Sequence, residues 1–136
     1  MRVLLLIFGI LWTSPGQAGL LVIVSTKVPD DAISVEQLAD VYSLKKAYWT
    51  NNIQVVPINR EASSVEREKF SAAVLHLSPQ EMAEYWNRLR FQGKLPPLIQ
   101  TSDQAVLSFV RSVPGAIGYI NANQRPTGVK ILLQLP

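Results

Sequence analysis

The chain of 136 residues has no cysteine and one histidine, His76. Without thiols there is no disulfide framework, so the domain must rest on its core; with a lone imidazole, a zinc site of the usual ligand types has nothing to build on. Charge of one sign is also scarce. Thirteen Lys and Arg stand against ten Asp and Glu, a formal +3, and Lys45-Lys46 is the only basic doublet, so no basic stripe for nucleic acid is present. No Gly-x-Ser-x-Gly elbow, phosphate-cradling Walker loop or dinucleotide glycine fingerprint occurs. The acidic pairs Asp30-Asp31 and Glu66/Glu68 fall naturally in a turn and a first helical turn, and His76 falls near the end of an amphipathic helix at the surface. Nothing here supports catalysis, and no cofactor is expected.

Long apolar runs are missing except at the start. Met1-Arg2 is a short basic opening, Val3–Trp12 is an apolar run of about ten residues, and Thr13–Ala18 breaks it and ends in a small-x-small pattern at Gly16 and Ala18. This is the layout of a cleavable secretory signal, and the run is too short to span a bilayer comfortably. Cleavage after Ala18 leaves 136 − 18 = 118 residues, 19–136, as one domain. A lipid-anchored form is excluded because no acceptor thiol is present, and no membrane insertion is expected after cleavage.

What the mature chain does contain is alternating strand and helix signals. Leu20–Ser25 is a continuous apolar β-branched run, the mark of a strand buried on both faces. Ser34-x-x-Gln37 reads as a capping box opening a short helix, with Val35, Leu38, Val41 and Tyr42 at helical spacing. Lys45–Asn52 is a loop in which Tyr48 and Trp49 read as satellite core contacts. Gln54–Asn59 is a second strand, where Pro57 points to an edge or a bulge. A helix after Ser63 sets Val65, Phe70, Ala73, Val74 and Leu77 along one side, and Ser78-Pro79-Gln80-Glu81 opens another with Met82, Tyr85, Trp86 and Leu89 as its apolar face. Gly93 suits the end of that helix, and Pro96-Pro97 enforces an extended connection. Ser102-Asp103 caps a further helix bearing Val106, Phe109 and Val110, Pro114-Gly115 closes it, and strands follow at Ala116–Ile120 and Val129–Leu135. The order β-α-β-α-α-α-β-β predicts a three-layer α/β sandwich around a mixed sheet.

The stretch Ile53–Arg67 is where recognition chemistry concentrates. An apolar β-branched run ends in Arg60, serines follow at Ser63 and Ser64, and Ser63-x-x-Glu66 reads as a capping box. A guanidinium and two hydroxyls beside the free amides of a helix start form a set of donors for a small oxyanion; an ordinary strand–turn–helix with a solvated arginine has the same pattern. Thr101-Ser102-Asp103 is a second, weaker candidate, because Asp103 would repel an anion.

Three segments together carry a resemblance. They are Leu38–Trp49, the run Val55–Arg60 with Ser63-Ser64 and Phe70, and Val110–Tyr119 with its Pro-Gly-Ala-Ile-Gly-Tyr core. In this order and spacing they resemble the phosphate-binding protein of bacterial phosphate ABC transporters, a type 2 periplasmic binding fold. Tyr85-Trp86 and Phe91-Gln92-Gly93-Lys94 further resemble short stand-alone members of that superfamily. The resemblance implies one lobe of such a fold in the periplasm, a non-enzymatic role, and phosphate or a similar oxyanion as ligand. It also implies an ABC permease or another envelope protein as partner. Arg60 matches the family's phosphate-gripping arginine, and Ser63 and Ser64 fall on its serine-containing turn. Ser64 and Val65 stand where the family carries Gly-Thr, and the ligands of the other lobe have no counterpart in this chain. The alternative implied is an interaction or sensory module that kept the fold and lost the ligand.

Overall fold

The computed structural model describes residues 19–136; the expected signal segment lies outside the described residues. The first strand, β1 (Leu20–Ser25), is buried at every position. Its side chains alternate: Leu20, Val22 and Val24 enter one core, whereas Leu21 and Ile23 enter another on the opposite face. Strand β1 is flanked by the antiparallel strands β4 (Ala116–Asn121) and β5 (Val129–Leu135). Beyond β4 lie β2 (Val56–Arg60) and β3 (Leu98–Gln100), each parallel to its neighbour, giving the order β3-β2-β4-β1-β5.

Helices cover both faces. On one, α1 (Val35–Tyr42) and α2 (Val65–Phe70), continued by a π-helical turn at Ser71–Leu75, contribute Leu38, Val41, Tyr42, Phe70 and Val74 to the first core. On the other, α4 (Asp103–Ser112) contributes Val106, Leu107 and Val110 to the second. The expected three-layer α/β sandwich with a mixed sheet is what forms. Capping boxes open two of the helices, Ser34 with Gln37 at α1 and Ser78 with Glu81 at α3 (Pro79–Phe91). Gly93, at φ +78°, turns the chain out of α3, donating to the Arg90 carbonyl.

Several expectations are corrected. A fifth strand, β3, forms where only an extended connection was expected; three residues are too few to show an alternating pattern, but Pro96-Pro97 delivers them extended beside β2. Strand β2 starts at Val56 and runs through Arg60, and it is an interior strand with no bulge in its ladders. Pro57 is tolerated because the Val56 N–H faces β4, donating to the Gly115 carbonyl at 3.0 Å. The next nitrogen therefore faces the β3 side, where pairing begins only at Ile58. Val65 is exposed, since five residues at 3.6 per turn carry it about 140° round the helix from Phe70. Of the apolar face of α3, only Leu89 is buried; Met82, Tyr85 and Trp86 are half-buried beside open grooves. Trp49 is a core residue whose indole N–H donates to the Gly115 carbonyl at 2.9 Å, but Tyr48 is exposed. His76 is exposed at the end of the π-helical turn.

Gly118 sits where α4 crosses β4: a Cβ there would lie 2.7 Å from Val106 Cγ1. Gly118→Ala should force the helix off the sheet and cost about 1–3 kcal/mol by overpacking, read as a lowered midpoint in chemical denaturation. An unchanged midpoint would mean that the close approach carries no stability.

Candidate functional site at the ends of β2 and β3

Parallel pairing decides where the site lies. Because β2 runs alongside β3, with Arg60 opposite Gln100, the chain leaves both strands at the same end of the sheet. The helices that follow, α2 and α4, therefore start beside each other. The two corners that sequence reasoning treats as separate candidates are one place.

Arg60 occupies its centre. The residue is only 7% exposed, and its guanidinium meets three carboxylates. Nη1 donates to Asp103 Oδ1 at 2.7 Å. Nε and Nη2 donate to the two oxygens of Glu61 at 3.1 and 3.2 Å, a bidentate grip. Glu66 lies 3.9 Å from Nη2. Burial alone would weaken the charged guanidinium, but the hydrogen bond and charge of Glu61, with Glu66 and Asp103, outweigh it and raise the Arg60 pKa above its ordinary value. Among the described residues no group of three or more His, Asp or Glu side chains is arranged to hold a metal ion.

A polar layer supports it from below. The Arg60 backbone N–H donates to Asn59 Oδ1 at 3.0 Å and to Tyr119 Oη at 3.2 Å, while the Tyr119 hydroxyl donates to Asn59 Oδ1. Burial pushes the Tyr119 pKa up to about 12, and burial followed by the neighbouring Tyr119 raises that of Tyr42 well above the usual value. Both phenols therefore stay protonated donors at neutral pH. Tyr42 donates to the Ile58 carbonyl at 2.8 Å, and Phe70 stacks on Tyr119 with ring centroids 4.1 Å apart. This fixes the end of β2.

The serines divide. Ser64, not Ser63, is the N-cap of α2: its hydroxyl accepts from the Arg67 N–H at 3.1 Å and donates to the Glu61 carbonyl at 2.9 Å. The expected capping box of Ser63 with Glu66 is absent, because the turn closed by Ser64 N–H to the Glu61 carbonyl starts the helix one residue later and leaves Glu66 facing Arg60. Ser63 is exposed on a groove running along α2 and α3. Sequence reasoning missed Glu61 and Glu66 as partners of Arg60 and saw Asp103 as part of a helix cap and as a repulsive charge. Asp103 is 43 residues away in the chain, and only the β2–β3 pairing brings it there.

Glu61 is held below the usual carboxylate range, first by its hydrogen bond from Arg60. A lowered folded-state pKa means that the unfolded chain binds the proton more readily, so this stabilisation is present above the unfolded pKa and is lost as pH falls through the folded one. Thermal melts should show a loss of stability below about pH 4.5, and Glu61→Gln should flatten that acid slope. An identical slope in the variant would assign the acid sensitivity to other groups.

No family model matches the chain, and no match was found among curated proteins. Solved structures do match. A protein assigned as a phosphate ABC transporter substrate-binding protein from Clostridium perfringens, with bound phosphate, aligns with a TM-score of 0.69 at 21% identity over 85% of this chain and 44% of its own. An ABC-type phosphate transport receptor from Vibrio cholerae aligns at 0.68 and 21%, with 85% and 45% covered. PstS from Borrelia burgdorferi aligns at 0.66 and 20%, with 85% and 46% covered. The chain spans less than half the length of these proteins. It has the fold of part of a phosphate-transporter substrate-binding protein.

Proposed function

We propose that this chain is an exported, non-enzymatic oxyanion-binding domain, with phosphate the first candidate, that takes its anion at Arg60, Ser63 and Ser64. In this reading residues 1–18 direct it to the periplasm and are removed, and an ABC permease or another envelope protein is its partner. One observation carries the reading: Glu61 holds Nε and Nη2 of Arg60 by two parallel hydrogen bonds, the face that an oxyanion would take, in a fold shared with a structure containing bound phosphate. Glu61 is the outer, more solvated partner, its side chain 30% exposed against 15% for Asp103. An anion would therefore enter by exchange for the Glu61 carboxylate while Asp103 keeps the guanidinium in place. Such exchange predicts weak binding, because the incoming charge also meets Glu66 and Asp103 at short range.

A second reading is favoured by the same charges. Three carboxylates outnumber one guanidinium, which suits an interaction or sensory module that has kept the fold without the ligand, contacting an envelope partner through the Lys45–Trp49 loop. Calorimetric titration with phosphate, and sulfate as control, separates the two. The first reading predicts phosphate binding that tightens about tenfold in Glu61→Gln, or roughly 1.4 kcal/mol, and disappears in Arg60→Ala. Binding unchanged in Arg60→Ala removes the site assignment. Flat titrations at millimolar anion for both the native chain and Glu61→Gln favour the module.

A further inference from the structure

A second set of donors lies a few residues from Arg60 and has no acid in it. Between the end of β2, the face of α3 and the segment entering β3 is a cleft of about 330 Å³, within the range of small-ligand pockets. Its walls include Asn59, Arg67, Trp86, Arg90, Pro97 and Ile99, and no Asp or Glu lines it. Among the described residues neither Arg67 nor Arg90 has a carboxylate within 4.0 Å. Arg67 is oriented by one hydrogen bond, from Nη1 to the Arg60 carbonyl at 3.0 Å, which leaves most of its five N–H donors unused.

Asn59 supplies the observation that turns a basic cleft into a built site. The residue is 8% exposed. Its Oδ1 must face the Arg60 N–H, since that group can only donate, and it also accepts from the Tyr119 hydroxyl. The amide nitrogen is thereby fixed as the other end: a two-proton donor without a partner among the described residues and, since no fully buried side-chain nitrogen or oxygen there lacks one, open to solvent, on a residue that lines the cleft. A nine-tenths buried residue whose amide presents only donors to the cleft, between two arginines without counter-ions, selects for an acceptor of negative charge. The remaining walls are Trp86, Pro97 and Ile99, which are apolar and partly flat. An inorganic anion would leave them wet. An anion carrying a flat apolar group would cover them.

We infer that this cleft is a binding site for an organic oxyanion, with the charged head on Asn59, Arg67 and Arg90 and an aromatic or flat apolar tail against Trp86 and Pro97. The inference is independent of phosphate binding at Arg60, whose guanidinium is committed to Glu61 and Asp103. Trp86 gives the readout, because the other tryptophan among the described residues, Trp49, is buried in the core.

The test titrates the full chain with phenyl phosphate while following tryptophan fluorescence, with inorganic phosphate and phenol as comparison probes. Phenyl phosphate should shift the emission and bind at least about tenfold more tightly than either probe, the scale of one charge-assisted hydrogen bond or one buried ring face. Arg90→Gln, an exposed position without a structural partner, should weaken it about tenfold with an unchanged melting temperature, and Trp86→Leu should remove the optical signal. No response to phenyl phosphate, or equal affinity in Arg90→Gln, overturns the inference. Loss of phenyl phosphate binding in Arg60→Ala alone, with Arg90→Gln unaffected, also overturns it and returns the anion to the Arg60 corner. Arg90-dependent binding in a protein that ignores inorganic phosphate supports the cleft and counts against the Arg60 reading.

Discussion

A buried guanidinium at the end of an interior strand is the constraint on which the functional end of this molecule depends. Arg60 keeps its charge even when buried, so without counter-ions its desolvation would cost the fold several kcal/mol. The chain answers with acids from three places: the next residue, Glu61; the first turn of α2, Glu66; and the first residue of α4, Asp103. Asp103 reaches it only because β2 and β3 run parallel and release their helices at the same end. The same carboxylate accepts the Asn121 N–H at 3.3 Å, tying the end of β4 into the cluster. One charge thus connects β2, α2, α4 and β4.

That arrangement shapes the chemistry available. An arginine surrounded by acids is a stable joint and a poor anion trap, so any oxyanion at Arg60 competes with Glu61 for the same donors. Two steps away, Arg67 and Arg90 retain unused donors in a cleft without acids. The polar layer of Asn59 and Tyr119 serves both places: its oxygens receive the Arg60 N–H, and its remaining amide nitrogen is left to the cleft. Helix α3, whose apolar face finds few partners in the core, supplies the cleft's far wall through Trp86.

The layered fold was legible in the sequence because its signals are local. The unbroken run of β1, the two capping boxes at Ser34 and Ser78, and the Pro114-Gly115 turn each declare themselves within a few residues. Strand β3 was not legible, being three residues that pair only because β2 is beside them. The site was half visible. Arg60 at a strand end is a local pattern, but its partnership with Asp103 is set by sheet pairing across 43 residues. The N-cap moved from Ser63 to Ser64 because the Glu61–Ser64 turn competes with helix start, a choice that two adjacent serines leave open. The cleft of Asn59, Arg67 and Arg90 unites a strand residue with two helices and has no spacing signature at all.

The most direct measurement of the central joint is a double-mutant cycle between Arg60→Met and Asp103→Ala, read by chemical denaturation. A buried pair that holds α4 to the end of β2 predicts a coupling energy of about 1–3 kcal/mol. Destabilisations that add to within about 0.5 kcal/mol would mean that the two residues do not act together, and the end of the sheet would then be held by packing alone.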